Sequence, residues 1–278
     1  MTNAAPLDTR PIGVFDSGLG GLTVLRSLID LVPSESLIYF GDTGRFPYGP
    51  KPAEEVRGYA LEISDLLVER GVKMLVVACN SAASAALEDL KSRYEIPVIG
   101  VVSPGVRAAA KVTTSRRVGV IGTSGTISSG AYQRAAEASE LELTCQACPG
   151  FVEFVEAGDV DSDQVLILAE RLLEPIRNAN VDTLVLGCTH YPLLARTIAK
   201  VMGQGVTLIS SADETAFEVM ALLAVDGIAT GLEPELGAAP QPRGSHTFIT
   251  SGDTATFMEL GARFLGPEVA DVEAHRWG

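Results

Sequence analysis

An α/β fold of two pseudo-symmetric, doubly wound domains with mainly parallel sheets is what this sequence predicts, and three observations predict it. The apolar runs are short and rich in Val, Ile and Leu, stretches with helical spacing separate them, and the whole alternation restarts near residue 117. With 278 residues, 46% of them hydrophobic, the chain can bury one large core or two modest ones, which excludes a single small motif domain.

In order, Pro11–Phe15, Ser36–Phe40, Lys73–Ala78 and Val98–Val101 read as strands, with helices near Gly21–Leu31, Ala53–Arg70 and Ser81–Tyr94. The second round has strands at Arg117–Ile121, Leu141–Cys145 and Asp182–Gly187, with helices near Ser129–Ser139, Asp163–Asn178 and Pro192–Met202. Punctuation repeats as well: Val14-Phe15-Asp16-Ser17-Gly18 answers Ile121-Gly122-Thr123-Ser124-Gly125, and Cys79 lies 62 residues after Ser17 while Cys188 lies 64 after Ser124. An internal duplication explains this economically and puts one cysteine at the same place in each half. After a strand at Val206–Ile209 and a helix at Asp213–Leu223, the Gly- and Pro-rich stretch from Asp226 to His246 reads as an exposed loop. A last strand and helix, Thr247–Thr250 and Thr254–Phe264, return to the first domain. The predicted division is therefore residues 1–100 plus 212–278, with a loose tail over 1–10, and residues 101–211, with the active site in the cleft between them.

Twenty-one basic against thirty-five acidic residues leave a formal net charge of −14, and the pI is about 4.6. A field of that sign repels phosphate, so direct nucleic-acid binding is not expected. No run approaches the about 18–20 apolar residues of a membrane helix, and the first ten residues lack the apolar core of a signal peptide. A cytoplasmic protein with no membrane partner is the expectation. Its four cysteines, Cys79, Cys145, Cys148 and Cys188, are too few for a disulfide scaffold.

Cys79 and Cys188 each end a buried-looking strand and precede a helix, at the sheet edge where α/β folds bind ligands. Asn80, Ser81 and Thr189 can cap those helices, and Pro192 suits a first turn. A thiol at such a corner faces N–H groups and the positive end of a helix dipole, both of which favour the thiolate. An unshifted thiol, with a pKa of about 8.5, is only a few per cent ionised at neutral pH. One such cysteine alone reads as a small buried hydrophobe; two at equivalent places do not. If the halves face each other, one thiol removes a proton from a bound molecule and the other returns one on the opposite face. That is a two-base inversion of a stereocentre.

Other motifs carry less. Gly18-Leu19-Gly20-Gly21, with Asp42 after the next strand, resembles a dinucleotide fingerprint, but its sixth position is Thr23 and Asp16 would crowd the pyrophosphate. Cys145-Gln146-Ala147-Cys148 has half-zinc or redox spacing without a second pair, so no metal site is expected. The five lysines lie away from the strand-end corners, which disfavours a pyridoxal enzyme and leaves a cofactor-free route. A direct Cys188–His190 nucleophile pair is disfavoured because near neighbours in sequence usually point apart. His246 and His275 read as solvated.

Several segments, in order, carry a resemblance: 14–21, Gly41-Asp42-Thr43 with Arg45-Phe46-Pro47-Tyr48-Gly49, Ala78-Cys79-Asn80-Ser81-Ala82, Cys148-Pro149 with Phe151-Val152 and Glu156, and Gly187-Cys188-Thr189-His190-Tyr191-Pro192. Through them the chain resembles the glutamate racemases of the cofactor-independent aspartate/glutamate racemase superfamily. The resemblance implies interconversion of L- and D-glutamate, supplying D-glutamate for bacterial peptidoglycan. It makes Cys79 and Cys188 the alternating proton acceptor and donor, assisted by Asp16, Glu156 and His190. Asp16, Ser17, Tyr48, Gly49, Asn80, Ser81, Thr189 and His190 match the family's substrate-binding positions. Ser81 departs from the threonine of many relatives but keeps the hydroxyl. Other superfamily substrates, aspartate or a hydantoin, are the nearest rivals. The resemblance further implies a homodimer and admits a second role in binding DNA gyrase.

Overall fold

A computed structural model describes residues 8–230 and 243–278. Among the described residues, ten strands form two sheets in which every recorded pairing is parallel. The first comprises β1 (Ile12–Asp16), β2 (Leu37–Gly41), β3 (Met74–Val77), β4 (Val98–Gly100), β9 (His246–Thr250) and β10 (Glu273–Ala274), in the order β10-β9-β2-β1-β3-β4. The second comprises β5 (Arg117–Gly122), β6 (Glu142–Ala147), β7 (Thr183–Gly187) and β8 (Thr207–Ser210), in the order β6-β5-β7-β8. The central strands β1, β2, β3 and β7 are buried along their whole length, which is why they read as unbroken apolar runs rather than alternating ones.

Among the described residues, twelve α-helices connect the strands: α1 (Leu22–Leu31), α2 (Ala53–Glu69), α3 (Asn80–Arg93), α4 (Val102–Val112), α5 (Ser124–Ser128), α6 (Ala131–Ala136), α7 (Phe151–Glu156), α8 (Asp163–Leu172), α9 (Glu174–Asn178), α10 (Ala195–Met202), α11 (Ser211–Val225) and α12 (Thr254–Leu265). The terminal strand and helix do join the first sheet, with β9 against β2. Helices α4 and α11 pack on each other, α11 also on α1 and α4 also on β7 and β8, so this pair spans from one sheet to the other.

Several elements differ from the sequence reading. The helix expected over Ser129–Ser139 is shorter, α6, and is entered through Gly130 with a left-handed φ of 69°, while a separate short helix, α5, precedes it. The helix expected over Asp163–Asn178 breaks at Leu173, because Pro175 cannot continue the hydrogen-bond ladder. Helix α4 is additional to the elements read from the sequence; Pro104 falls in its first turn, where its missing N–H is no loss. Helix α7 and strand β10 are likewise additional. His275 is not free: its N–H donates to Thr250 O (2.7 Å) and its ring packs edge-on against Trp277. His246 opens β9 and is half-buried.

Residues 1–7 of the expected tail and 231–242 of the expected loop lie outside the described residues. The described ends of both segments are tied down. Lys73, buried at the start of β3, makes a 2.6 Å ion pair with buried Glu35 and donates to Asp8 O (2.7 Å), Ile228 O (2.6 Å) and Thr230 Oγ1 (3.0 Å). Thr230 in turn donates from N and Oγ1 to the Glu35 carboxylate (2.7 and 2.8 Å).

Candidate active site

Parallel register brings the carboxyl ends of the strands together. Asp16 closes β1 opposite Gly41, Cys79 follows β3, Gly122 closes β5 opposite Gly187, and Cys188 follows β7. The two sets of strand ends enclose one cavity of about 90 Å³ that Cys79 and Cys188 both line, one from each sheet. A single water needs about 10–15 Å³ by the same measure, so the space suits a small molecule. Ser17, Tyr48, Gly49, Asn80, Ser81, Thr189 and His190 line it too.

Cross-sheet hydrogen bonds fix the walls. Gly125 N–H donates to Gly49 O (2.9 Å), Asn80 Nδ2 to Tyr132 Oη (2.9 Å), and the Ser81 and Thr123 hydroxyls meet at 3.0 Å. Gly49 permits this closure: a Cβ there would stand 2.7 Å from Thr123 Cβ. Asn80 Oδ1 is buried without a partner among the described residues. The N–H groups of Asn80 and Ser81 open α3 and have no acceptor within the helix. Among the described residues, no acceptor is recorded for the N–H of Tyr48, Gly49, Thr189 or His190 either. Six residues whose N–H groups have spare capacity thus line the cavity, and such donors, where they face a ligand, receive carboxylates.

The two thiols sit in different fields. Cys79 is itself the N-cap of α3, its Sγ accepting from Ala82 N–H (3.5 Å), so the capping expected of Asn80 and Ser81 belongs to the cysteine. The expected lowering of its pKa does not follow. Burial and then the Asp16 charge push the Cys79 thiol up to about 12, outweighing the N–H donors of Ala82 and Ser17. Cys188 precedes a four-residue 3-10 turn, Tyr191–Leu194, with Pro192 in its first turn, and this turn has no side-chain cap, so Thr189 does not cap it. That turn folds His190 back, and its Nδ1 lies 3.9 Å from Cys188 Sγ. The pairing that sequence adjacency disfavoured is thus present.

On its other side His190 Nε2 pairs with Glu156 Oε1 at 2.7 Å. Burial opposes the imidazolium, but Cys188, Glu156 and Asp16 together outweigh it and raise the ring to about 10. The ring is packed between Phe46 and Phe264, each with its centroid 5.9 Å away.

Asp16 and Glu156 do not line the cavity; they stand behind its wall. Asp16 is fully buried, accepts from Gly18 N–H (3.1 Å) and faces Thr189 Oγ1 at 3.5 Å. Burial raises its carboxyl above the ordinary value, against the opposing pull of His190 and the N–H groups of Gly21 and Gly18. The glycines after β1 close on side chains instead of framing a phosphate site. A Cβ on Gly20 would stand 2.3 Å from Thr189 Oγ1 and 2.5 Å from His190 Nδ1, and one on Gly21 2.6 Å from Asp16 Cβ.

Sequence reasoning missed Thr123, Ser124, Glu153 and the lining role of Cys148. The first two were within reach, because Thr123-Ser124 repeats Asp16-Ser17. Cys148 is buried on the cavity wall, with its thiol held up to about 12 by burial and the neighbouring Cys188; Cys145, on edge strand β6, is not among the lining residues. Tyr48 lines the wall, but its hydroxyl is already committed to Asp42.

The family model of the Asp/Glu/hydantoin racemases matches residues 12–219, which spans both sheets' central strands and both cysteine corners. The chain belongs to the Asp/Glu/hydantoin racemase family. It is 55% identical over 273 residues to a glutamate racemase of Beutenbergia cavernae, covering 96% of this chain and 93% of that one. In structure it matches a glutamate racemase isoform of Bacillus anthracis (41% identity, 98% of each chain, TM-score 0.88). It also matches the Francisella tularensis glutamate racemase solved in complex with D-glutamate (32% identity, 97% of this chain and 98% of that one, TM-score 0.87). No helix among the described residues is long and apolar enough to cross a membrane.

Proposed function

We propose that this member of the racemase family interconverts L- and D-glutamate by two-base proton transfer through Cys79 and Cys188, and so supplies D-glutamate for peptidoglycan. The observation that carries the reading is the pair of buried thiols, from equivalent corners of two sheets, lining one cavity. The glutamate racemases of B. cavernae and F. tularensis, the latter with D-glutamate bound, support the substrate. We propose the same division that the repeat suggests, residues 1–100 with 212–278 and residues 101–211, and a cytoplasmic homodimer as the working form, which sedimentation at assay concentration tests.

In this account the orphan N–H groups at Tyr48–Gly49, Asn80–Ser81 and Thr189–His190 receive the two carboxylates, with the hydroxyls of Ser17 and Ser81 beside them. Asp16 supplies the negative charge behind the ammonium. One thiolate takes the Cα proton, the electron pair delocalises into the α-carboxylate, and the opposing thiol returns a proton to the other face. Protons balance, with the site left in the mirror protonation state. His190, held by Glu156, compensates a thiolate at Cys188; Asp16 disfavours one at Cys79.

Racemisation of L-glutamate by the purified protein, followed by circular dichroism with no added cofactor, tests the reading. The expected endpoint is an equal mixture of enantiomers, because the equilibrium constant between mirror images is unity. Turnover of L-aspartate or a hydantoin in preference to glutamate contradicts it.

The pH dependence follows from the same groups. The base must be ionised while its partner keeps its proton, so kcat/KM is expected to be bell-shaped in both directions, with limbs that belong to the coupled site. As pH rises through about 10, His190, 3.9 Å from the Cys188 sulfur, loses its proton, while Cys79 still holds its own up to about 12. His190→Asn should move the limbs and impair proton transfer at Cys188 more than at Cys79. A flat profile from about pH 6 to 10, where free thiols titrate, contradicts thiol bases.

Gly20→Ala is expected to lower turnover by about 100-fold, since displacing a catalytic group by an ångström costs that much. Its added methyl meets Thr189 and His190 rather than any flexible chain end. A shifted His190 titration by NMR should accompany the loss; unchanged turnover would mean the ring need not sit where it does.

A further inference from the structure

Tyr48 and Gly49 contribute two of the cavity's six spare backbone donors from an irregular stretch, Asp42–Gly49, that belongs to no helix or strand. Something must hold that stretch in place, and the hydrogen bonds identify Asp42. Its carboxylate, fully buried, accepts from Arg45 Nε (2.7 Å), Ser251 Oγ (2.6 Å), Trp277 Nε1 (3.0 Å) and the Tyr48 hydroxyl. Arg45 is clamped between two rings, its guanidinium carbon 4.0 Å from the centroid of Tyr59 and 3.9 Å from that of Trp277, and it also pairs with Glu62. One Arg45 nitrogen, Nη2, is buried without a partner among the described residues, so the stacked rings help to set the orientation of the guanidinium.

Trp277 therefore touches both members of the ion pair at once, by its N–H and by its face. It reaches them because β10 pairs with β9, Glu273 pairs with Arg70 (2.7 Å), and the His275 and Phe40 rings pack against the indole (centroids 4.4 and 5.5 Å). Neither Trp277 nor Asp42 lines the cavity.

We propose that Trp277 is a positioning residue: through Asp42 and Arg45 it fixes Tyr48, and so aims the Tyr48 and Gly49 N–H groups at a substrate carboxylate. This rests on the racemase reading for its substrate, but the coupling from Trp277 to residues 42–49 stands on the contacts alone. A residue acting this way changes how well substrate is held without entering the proton transfers. Its removal acts on KM, leaves kcat nearly unchanged and leaves both limbs of the pH profile in place.

The test compares full-length wild type, Trp277→Ala and Trp277→Phe in two readouts. Hydrogen–deuterium exchange across residues 42–49, measured without substrate, should quicken about 10-fold or more in Trp277→Ala, because a charge-assisted hydrogen bond and a stacked cation are both lost. KM for glutamate should rise about 10-fold with kcat within about two-fold. Trp277→Phe, which keeps a ring over Arg45 and loses the N–H, should fall between the two in both readouts. Trp277 is the single tryptophan of the sequence, so its fluorescence should also respond to D-glutamate in wild type. Unchanged exchange in Trp277→Ala overturns the proposal, as does a fall in kcat or a moved pH limb at constant KM. If wild type fails to racemise glutamate, the racemase reading fails by itself, and the exchange arm still decides whether Trp277 holds this stretch.

Discussion

Cys79→Ser and Cys188→Ser are each expected to lower racemisation in both directions by about 10²- to 10⁴-fold, the range that a positioned acid or base contributes. The two sites should fail equally in overall turnover although their surroundings differ. Every inversion needs one group to take a proton and one to give it, whichever enantiomer enters. Each single variant should nevertheless keep a reaction that needs only one thiol, such as elimination from a β-chloro amino acid of the matching hand, and the two variants should differ in which hand they accept. Cys145→Ser, away from the cavity on an edge strand, should turn over nearly as wild type. Racemisation at the wild-type rate in either Cys79→Ser or Cys188→Ser would end the two-thiol account.

The largest expected effect on stability lies at the opposite end of the first sheet. Lys73→Ala leaves the Glu35 carboxylate buried with its cation gone, and breaks the contacts that tie Asp8, Ile228 and Thr230 to β3. Breaking a buried pair from one side costs about 3–5 kcal/mol, and urea unfolding should show a loss of that size. Replacing both partners, as Lys73→Met with Glu35→Leu, should recover most of it, because no isolated charge is then left inside. A loss under about 1 kcal/mol in the single variant would mean that water or a rearranged chain rescues Glu35.

What could be read from the sequence follows from which forces act locally. Strand cores such as Met74–Val77 and Thr183–Gly187 announce themselves because both faces are buried and nearly every residue is apolar. The cysteine corners were legible because the duplication sets the same strand end twice. Helix α4 was not, since Pro104 is a breaker or a harmless first-turn residue depending on where the helix starts, and that is settled by packing. The field at each thiol was also out of reach. A strand-end position before a helix is visible locally, but the burial of Cys79 and the Asp16 charge that overrule the helix dipole come from packing and from β1, more than sixty positions away. Similarly, His190 approaches Cys188 only because the chain enters a 3-10 turn instead of an α-helix. Trp277 reaches Asp42 across 235 positions of sequence, a contact no local pattern encodes.

The most direct test of two thiols acting on opposite faces is the isotope content of substrate and product during the first few per cent of turnover in deuterated water. L-glutamate should give D-glutamate carrying deuterium at Cα, while the unreacted L-glutamate keeps its original hydrogen, because the proton removed and the proton delivered belong to different sulfurs. The same should hold starting from D-glutamate. Product that retains the substrate's own Cα hydrogen, or substrate that gains deuterium as fast as product forms, would indicate a single base serving both faces and would contradict the account.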